Sequence, residues 1–410
     1  MDRKILGKYA ELLVKVGVNL QKKEMLVISA PVMARDFVVK ITKAAYKAGA
    51  SNVEVLWTDE ELTKINFKSR TKSSLAEVPE WVVMQREYFI EKKVAYIGIL
   101  SDDPENLKGV SVEKITTARR ARSKALKKFR EYTSSNKIRW SLVGYPNKAW
   151  AKKMFPDLSP TKAVEKQWEY IAKTVRLYEE DPLAAWAEHQ RNLERRCSVL
   201  NNANIKTFIY KSSNGTDFSI DMPEGYIFCG GAEKGALDGV MFTANMPTEE
   251  VFSSPDKRTA NGTLVAAMPL CRNGNIIKNF KIHFKDGRIT SYEAEEGYDN
   301  LKSIIETDEG SHYLGEIALV GYNSPIRNLN TLFFETLYDE NASCHFAIGD
   351  CYPACLTGGV DMSEEELAKK GLNSSLEHVD FMVGAKDLSI TAITHGGDKI
   401  KIFENGEWTI

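Results

Sequence analysis

His378 and Asp380 stand two residues apart in the apolar run LEHVDFMVG. In an extended segment that spacing puts both side chains on one face, with Val379, Phe381 and Val383 on the other. An imidazole and a carboxylate are costly to bury unless each has a partner. A hydrogen-bonded couple inside a core would satisfy them, and so would a shared metal ion. Three more stretches carry similar groups. NMPTEEVFSSP (245–255) holds Glu249 and Glu250, and YLGEIALVG (313–321) sets Glu316 on the face of Ala318 and Val320. YDENASCHFAIGDCYP (338–353) supplies Asp339, Glu340, His345, Asp350 and Tyr352.

Taken singly, each residue has a structural reading: Glu249 or Glu250 as an acid of a surface turn, Glu316 as a salt-bridge partner, His345 as a core histidine. Together they carry a different meaning. Glu316 and the His378–Asp380 pair lie in apolar segments without lysine or arginine, and neighbouring carboxylates cannot all ionise without positive charge. Two divalent metal ions would supply that charge. A mixed set of carboxylates and imidazoles suits zinc, cobalt or manganese, whereas calcium takes oxygen ligands. Cys344, Cys351 and Cys355 around His345 form a rival, a structural zinc site, but no C-x-x-C pair is present. With only six cysteines in 410 residues, reduced thiols are expected rather than a disulfide scaffold.

The elements that must position these groups follow from length and patterning. A chain of 410 residues exceeds what one compact core holds and implies two domains. EMLVIS (24–29), NVEVLW (52–57), VAYIGIL (94–100) and IRWSLVGYP (138–146) read as buried strands, and 34–50, 161–178 and 183–199 as helices. This alternation predicts a mostly parallel sheet flanked by helices over residues 1–200. The polar stretch NNAN (201–204) is the expected boundary. Over 205–410 short strand-like runs are broken by hairpin signals, FKDGRI and FENGEW being the clearest. The expectation there is a β-rich catalytic domain with helices near 298–307 and 363–370.

Net charge is −1, so nothing global draws the chain to nucleic acid or an acidic membrane surface. The basic run ARRARSKALKKFREY (118–132) spaces Ala118, Ala121, Ala125 and Phe129 as one helix face and leaves its charges for solvent. The Gly-rich CGGAEKGALDG (229–239) lacks a phosphate-loop or dinucleotide pattern and reads as a turn. No secretory h-region or membrane-length apolar run is present, which points to a cytoplasmic protein.

NMPTEEVF, LGEIALV, DENASCHFAIG and HVDFMVG, in that order, resemble the aminopeptidase T and aminopeptidase S family of metal-dependent exopeptidases. The stretch SAPVMARDFVVKITKAAYKAGASNVEV resembles that family's N-terminal domain. The resemblance implies that Glu250, Glu316, Glu340, His345, His378 and Asp380 are metal ligands, with Glu316 and Glu340 both candidates to bridge two ions. It also implies that Tyr352 faces the reacting group, and that the enzyme is a homodimer acting on peptides. Gly321 and Asn323 depart from the family pattern, which affects a loop but no ligand position. The expected reaction is removal of N-terminal residues by a metal-activated water, with Glu316 or Glu250 carrying the proton, Tyr352 as oxyanion donor and a spare acid such as Asp350 binding the α-amino group. The competing readings are a metal-dependent hydrolase of another amide and a non-catalytic binding protein with a structural metal.

Overall fold

The computed structural model describes residues 3–272 and 275–410. The chain divides into two compact units, Met1–Ala187 with Ala232–Pro247, and Glu188–Gly231 with Thr248–Ile410.

The first unit has a five-stranded sheet in the order Asn245–Met246, Trp140–Gly144, Ala95–Leu100, Met25–Pro31, Asn52–Thr58. Every pairing in it is parallel. The strand Met25–Pro31 is almost wholly buried, as a central strand covered on both faces must be. Helix Arg35–Ala48 buries Phe37, Val38, Ile41 and Ala45, which recur at the three- and four-residue spacing that makes one face. The basic run forms helices Val112–Ala125 and Lys127–Ser134. In them Ala118, Ala121, Ala125 and Phe129 are half-buried and Arg119, Arg120, Arg122 and Lys124 are exposed. The segment 232–247, which sequence patterning places with the C-terminal half, packs with the first unit. Its last residues, Asn245–Met246, pair with Trp140–Gly144.

The second unit is strand-rich. A nine-stranded sheet contains the hairpin Asn275–Lys285 with Arg288–Glu296 and the hairpin Lys399–Glu404 with Glu407–Trp408. The turn residues Asp286–Gly287 and Asn405–Gly406 all have positive φ, the geometry that Asp-Gly and Asn-Gly favour in tight hairpins. Helices Tyr298–Ile305 and Glu364–Lys369 occur where expected.

A smaller antiparallel sheet runs in the order His378–Met382, His345–Gly349, Leu314–Leu319, Val251–Ser253, Cys229–Gly230. One of its faces belongs to the apolar core through Val251, Ile317, Leu319, Phe346, Ile348, Val379 and Phe381. The larger sheet fills that core from its own side: Tyr210 and Phe218 meet the Phe346 ring at 5.2 Å and 5.3 Å, and Phe280 meets Phe381 at 6.0 Å. Because side chains alternate along a strand, fixing this face fixes what the other presents.

Candidate metal centre

On the other face, register brings the chemistry together. Ala347 lies opposite both Glu316 and Asp380, and His345 lies opposite both Ala318 and Met382. Directly opposed residues share a face, so Glu316, His345 and Asp380 project the same way, as does His378 opposite Gly349. Glu250 immediately precedes Val251–Ser253 and by alternation joins Phe252 on that side. Ala347 and Gly349 leave open the space between the larger side chains.

The result is two overlapping groups. Glu250, Glu316 and His345 each offer a ligand atom, all within 4.8 Å of one another, and Glu316, His378 and Asp380 do the same. Glu316 belongs to both. Within them His345 Nε2 is 3.1 Å from Glu250, and His378 Nε2 is 3.2 Å from Glu316 and 3.3 Å from Asp380. Glu340, in the turn Glu340–Ala342, belongs to neither group. It lies close enough that, after burial, the charges of Asp380, Glu250 and Glu316 push its pKa well up.

Each imidazole is oriented by its far nitrogen. His345 Nδ1 sits 3.1 Å from the Ser343 carbonyl oxygen and His378 Nδ1 2.9 Å from that of Asp350. A carbonyl only accepts, so Nδ1 carries the proton in both rings and Nε2 is the atom turned to the carboxylates. That is how metal-binding histidines are held. Gly315 makes one of these contacts accessible. The register slips between Leu314 and Glu316, and a Cβ at Gly315 would fall 2.0 Å from the Asp350 carbonyl oxygen. A glycine inside a strand is a recognised signal of such a bulge; the carbonyl locks on the histidines have no sequence signal, since any residue has a carbonyl.

The electrostatics describe a site with too much negative charge. Burial pushes Glu316 up to about 7, against the pull of its His378 bond and with the charge of Asp380. Burial would lower His345, yet the bond and charge of Glu250, with Glu316 and Asp380, push it up to about 9. His378 also resists burial and is held well above its usual range by Asp380 and Glu316. Asp380, despite burial, is drawn well below the carboxylate range by His378 and His345. Among the described residues, the ion pairs of these acids are with the two histidines alone. Four carboxylates and two neutral imidazoles carry −4, which two divalent cations would balance. Asp380 Oδ1 is buried and makes no well-aligned hydrogen bond, His378 Nε2 lying 3.3 Å from it, so it is an atom such an ion would engage. The donor set therefore fits divalent metal.

Tyr352 is 41% exposed. Its ring meets Phe252 and His378 edge-on at 5.3 Å and 5.0 Å, and its hydroxyl lies 3.2 Å from His378 Nε2. A phenol is neutral at ordinary pH, so the hydroxyl is available as a donor. Glu249 and Glu250 are both buried, not acids of a surface turn. Glu249 turns to His189, 3.7 Å away. The Asp350 carboxylate accepts the Ser375 N–H at 3.2 Å while its carbonyl orients His378. The cysteines are free thiols, and none joins a candidate metal group among the described residues. Asn323 donates its N–H to Glu407 at 2.7 Å, and a Cβ at Gly321 would fall 3.1 Å from the same carboxylate.

A family model described as thermophilic metalloprotease (M29) matches residues 2–408. Aminopeptidase AmpS of Bacillus subtilis (strain 168) is 44% identical over 403 residues, spanning 98% of each chain. Aminopeptidase T of Thermus thermophilus is 33% identical over 405 residues, spanning 99% of this chain and 98% of its own. The structure of wild-type AmpT from Thermus thermophilus aligns with a TM-score of 0.93 at 32% identity over the whole of both chains. A 2,5-dihydroxypyridine dioxygenase from Pseudomonas putida KT2440 aligns at 0.54 and 13% identity, over 98% of this chain and 96% of its own, and shares the fold alone. The two overlapping carboxylate and histidine groups and the full-length match agree: the chain belongs to the M29 family of metalloproteases.

Proposed function

We propose that this metal-dependent aminopeptidase works with two divalent cations, zinc, cobalt or manganese, and removes N-terminal residues from peptides. One cation would be held by Glu250, Glu316 and His345, the other by Glu316, His378 and Asp380, with Glu340 completing the set. The observation that carries this reading is the sharing of Glu316 between two ligand groups. It favours Glu316 over Glu340 as the bridging carboxylate. All of these residues fall within 205–410, the region proposed as the catalytic domain beside an N-terminal domain over 1–200.

Bound cations in such a pair would acidify a water toward a pKa of about 7 and polarise the scissile carbonyl. The chain's own groups supply the rest. The neutral Tyr352 hydroxyl beside His378 would donate to the oxyanion that develops as the carbonyl is attacked. Glu316 or Glu250 would take the water's proton and pass it to the leaving amine. The Nδ1–H bonds to Ser343 and Asp350 keep both imidazoles aimed while charge moves. Among the described residues no helix is long and apolar enough to cross a membrane. Action in the cytoplasm as a homodimer is proposed on the sequence and the resemblance.

The test is hydrolysis of aminoacyl chromogenic amides after dialysis against a chelator. Loss of activity and its return with zinc, cobalt or manganese are expected. Full turnover in a demonstrably metal-free sample would sink the proposal, and turnover only on amides lacking a free α-amino group would favour another amidohydrolase.

A further inference from the structure

Asn341 is fully buried one residue after Glu340, and its amide is committed on both sides. Its Oδ1 accepts the Glu249 N–H at 2.7 Å. Its Nδ2 donates to the Leu337 carbonyl at 3.0 Å and, in a longer bond of 3.4 Å, to Glu340 Oε1. This pattern fixes the orientation of the amide, because exchanging O and N would set an NH2 against the Glu249 N–H and a carbonyl against that of Leu337. The Leu337 bond ties the side chain to its own helical turn. The other two bonds reach the candidate ligand Glu340 beside it and, far away in sequence, the backbone of Glu249, the residue before the candidate ligand Glu250.

Glu249 immediately precedes Glu250, so the bond to its N–H holds the backbone from which Glu250 projects. From the other side, His189 Nε2 lies 2.7 Å from the Thr248 carbonyl. The turn that carries Asn341 also carries Glu340, and it continues to Ser343, whose carbonyl orients His345. One buried amide thus joins the segment bearing Glu250 to the turn leading to His345. Glu250 and His345 are members of the same ligand group, and the second group shares with it only Glu316.

We propose that Asn341 is a positioning residue for the metal centre: its amide sets the separation of Glu250 from Glu340 and His345, and so governs affinity at the Glu250–Glu316–His345 site selectively. This rests on the two-cation reading above. Removing the amide leaves every ligand in the chain but lets the Glu250 segment and the turn drift apart. Loss of a residue that orients ligands typically weakens metal affinity by roughly 10–100-fold. The hydrogen bonds of Asn341 reach Glu249, Leu337 and Glu340 and none of the three residues of the Glu316–His378–Asp380 site, which is held by the sheet on either side of His345–Gly349.

The experiment is stepwise cobalt uptake by the chelator-stripped full chain, followed by competition with a chromophoric chelator and by the cobalt absorption spectrum. Asn341→Ala should weaken one binding step by roughly 10–100-fold and alter the spectrum of that ion, while the other step stays within about threefold. A merely structural asparagine would lower the melting temperature of the metal-free protein and leave both steps and the spectrum unchanged. That result, or equal weakening of both steps, would overturn the inference. Asn341→Ser serves if the alanine variant does not fold. An arm needing no variant is amide hydrogen exchange in the wild type, where cobalt should raise protection of the Glu249 N–H at least tenfold. Unchanged protection counts against the proposal. Wild-type protein that takes up fewer than two cobalt ions would instead sink the two-cation reading beneath it.

Discussion

Replacing Glu316 by glutamine should have opposite effects on the metal-free and metal-loaded protein. The Glu316 pKa is raised from 4.5 to about 7, burial being the largest cause. An acid raised in the folded state contributes its full stability below its unfolded pKa and loses it as pH rises through the folded one. For Glu316 that window runs from 4.5 to about 7, and the loss above it is roughly 3 kcal/mol at about 1.4 kcal/mol per pH unit. Glutamine has the shape of the protonated acid and escapes this loss. Some of the gain is returned, because the new amide would offer no charge to His378, which lies 3.2 Å from Glu316. In chelator, Glu316→Gln should therefore be more stable than wild type by about 1–2 kcal/mol at about pH 8.5, and by under about 1 kcal/mol near pH 5. With cobalt present the order should reverse, since the shared ligand is gone and bound metal stabilises only the wild-type fold. Denaturant unfolding at both pH values, with metal content measured on the same samples, decides the matter. A metal-free variant no more stable than wild type at the higher pH would refute the charge argument, and one that keeps two cations would refute the sharing of Glu316.

Tyr352→Phe keeps the ring against Phe252 and His378 and removes only the hydroxyl, so both metals should remain while kcat falls about a hundredfold; normal kcat in the metal-loaded variant would remove Tyr352 from the reaction. Asp380→Asn and His378→Ala should each lower bound metal and nearly abolish turnover with the fold intact, whereas a structural pair would show only a stability loss of about 1–3 kcal/mol in Asp380→Asn with metal content unchanged. Glu250→Gln should lose metal and activity and Glu249→Gln should keep most of both, because Glu249 turns to His189; equal losses in metal analysis would contradict that division. Metal affinity should weaken as pH falls below about 9, the value to which, against burial, its carboxylate neighbours push His345 in the absence of metal, since neutral imidazole is the ligand form, and a pH-independent affinity would count against histidine ligation.

What could be read from sequence was what repeats with period two. HVDFM and HFAIG each alternate core and site residues, so His378 and Asp380 on one side and Phe346 and Phe381 on the other follow from alternation alone. The parallel sheet was legible for a similar reason, each strand being a short apolar run followed by a helical pattern. Features set by pairing between distant segments were not. Asn245–Met246 joins the first sheet through Trp140–Gly144, a choice made by register between segments far apart in the chain. Asn341 looks like any polar turn residue until the Glu249 N–H is found at its oxygen. The sharing of Glu316 likewise needs four strands aligned, which no single segment encodes.

The architecture also holds these like-charged side chains close together. Each of these strand residues has a core neighbour adjacent in the chain: Glu316 beside Ile317, His345 beside Phe346, Asp380 beside Val379 and Phe381. Truncating one buried phenylalanine typically costs about 3–5 kcal/mol, similar to the loss of roughly 3 kcal/mol assigned to ionising Glu316. The two aromatic anchors, Phe346 and Phe381, are fully buried and lie in the core shared with the larger sheet. Moving a ligand away from its neighbours would require moving its strand, and with it these rings. Repulsion among the carboxylates is thus carried as reduced stability rather than released by rearrangement. That is the condition under which a cation finds its ligands already in place, and under which its binding energy also stabilises the fold.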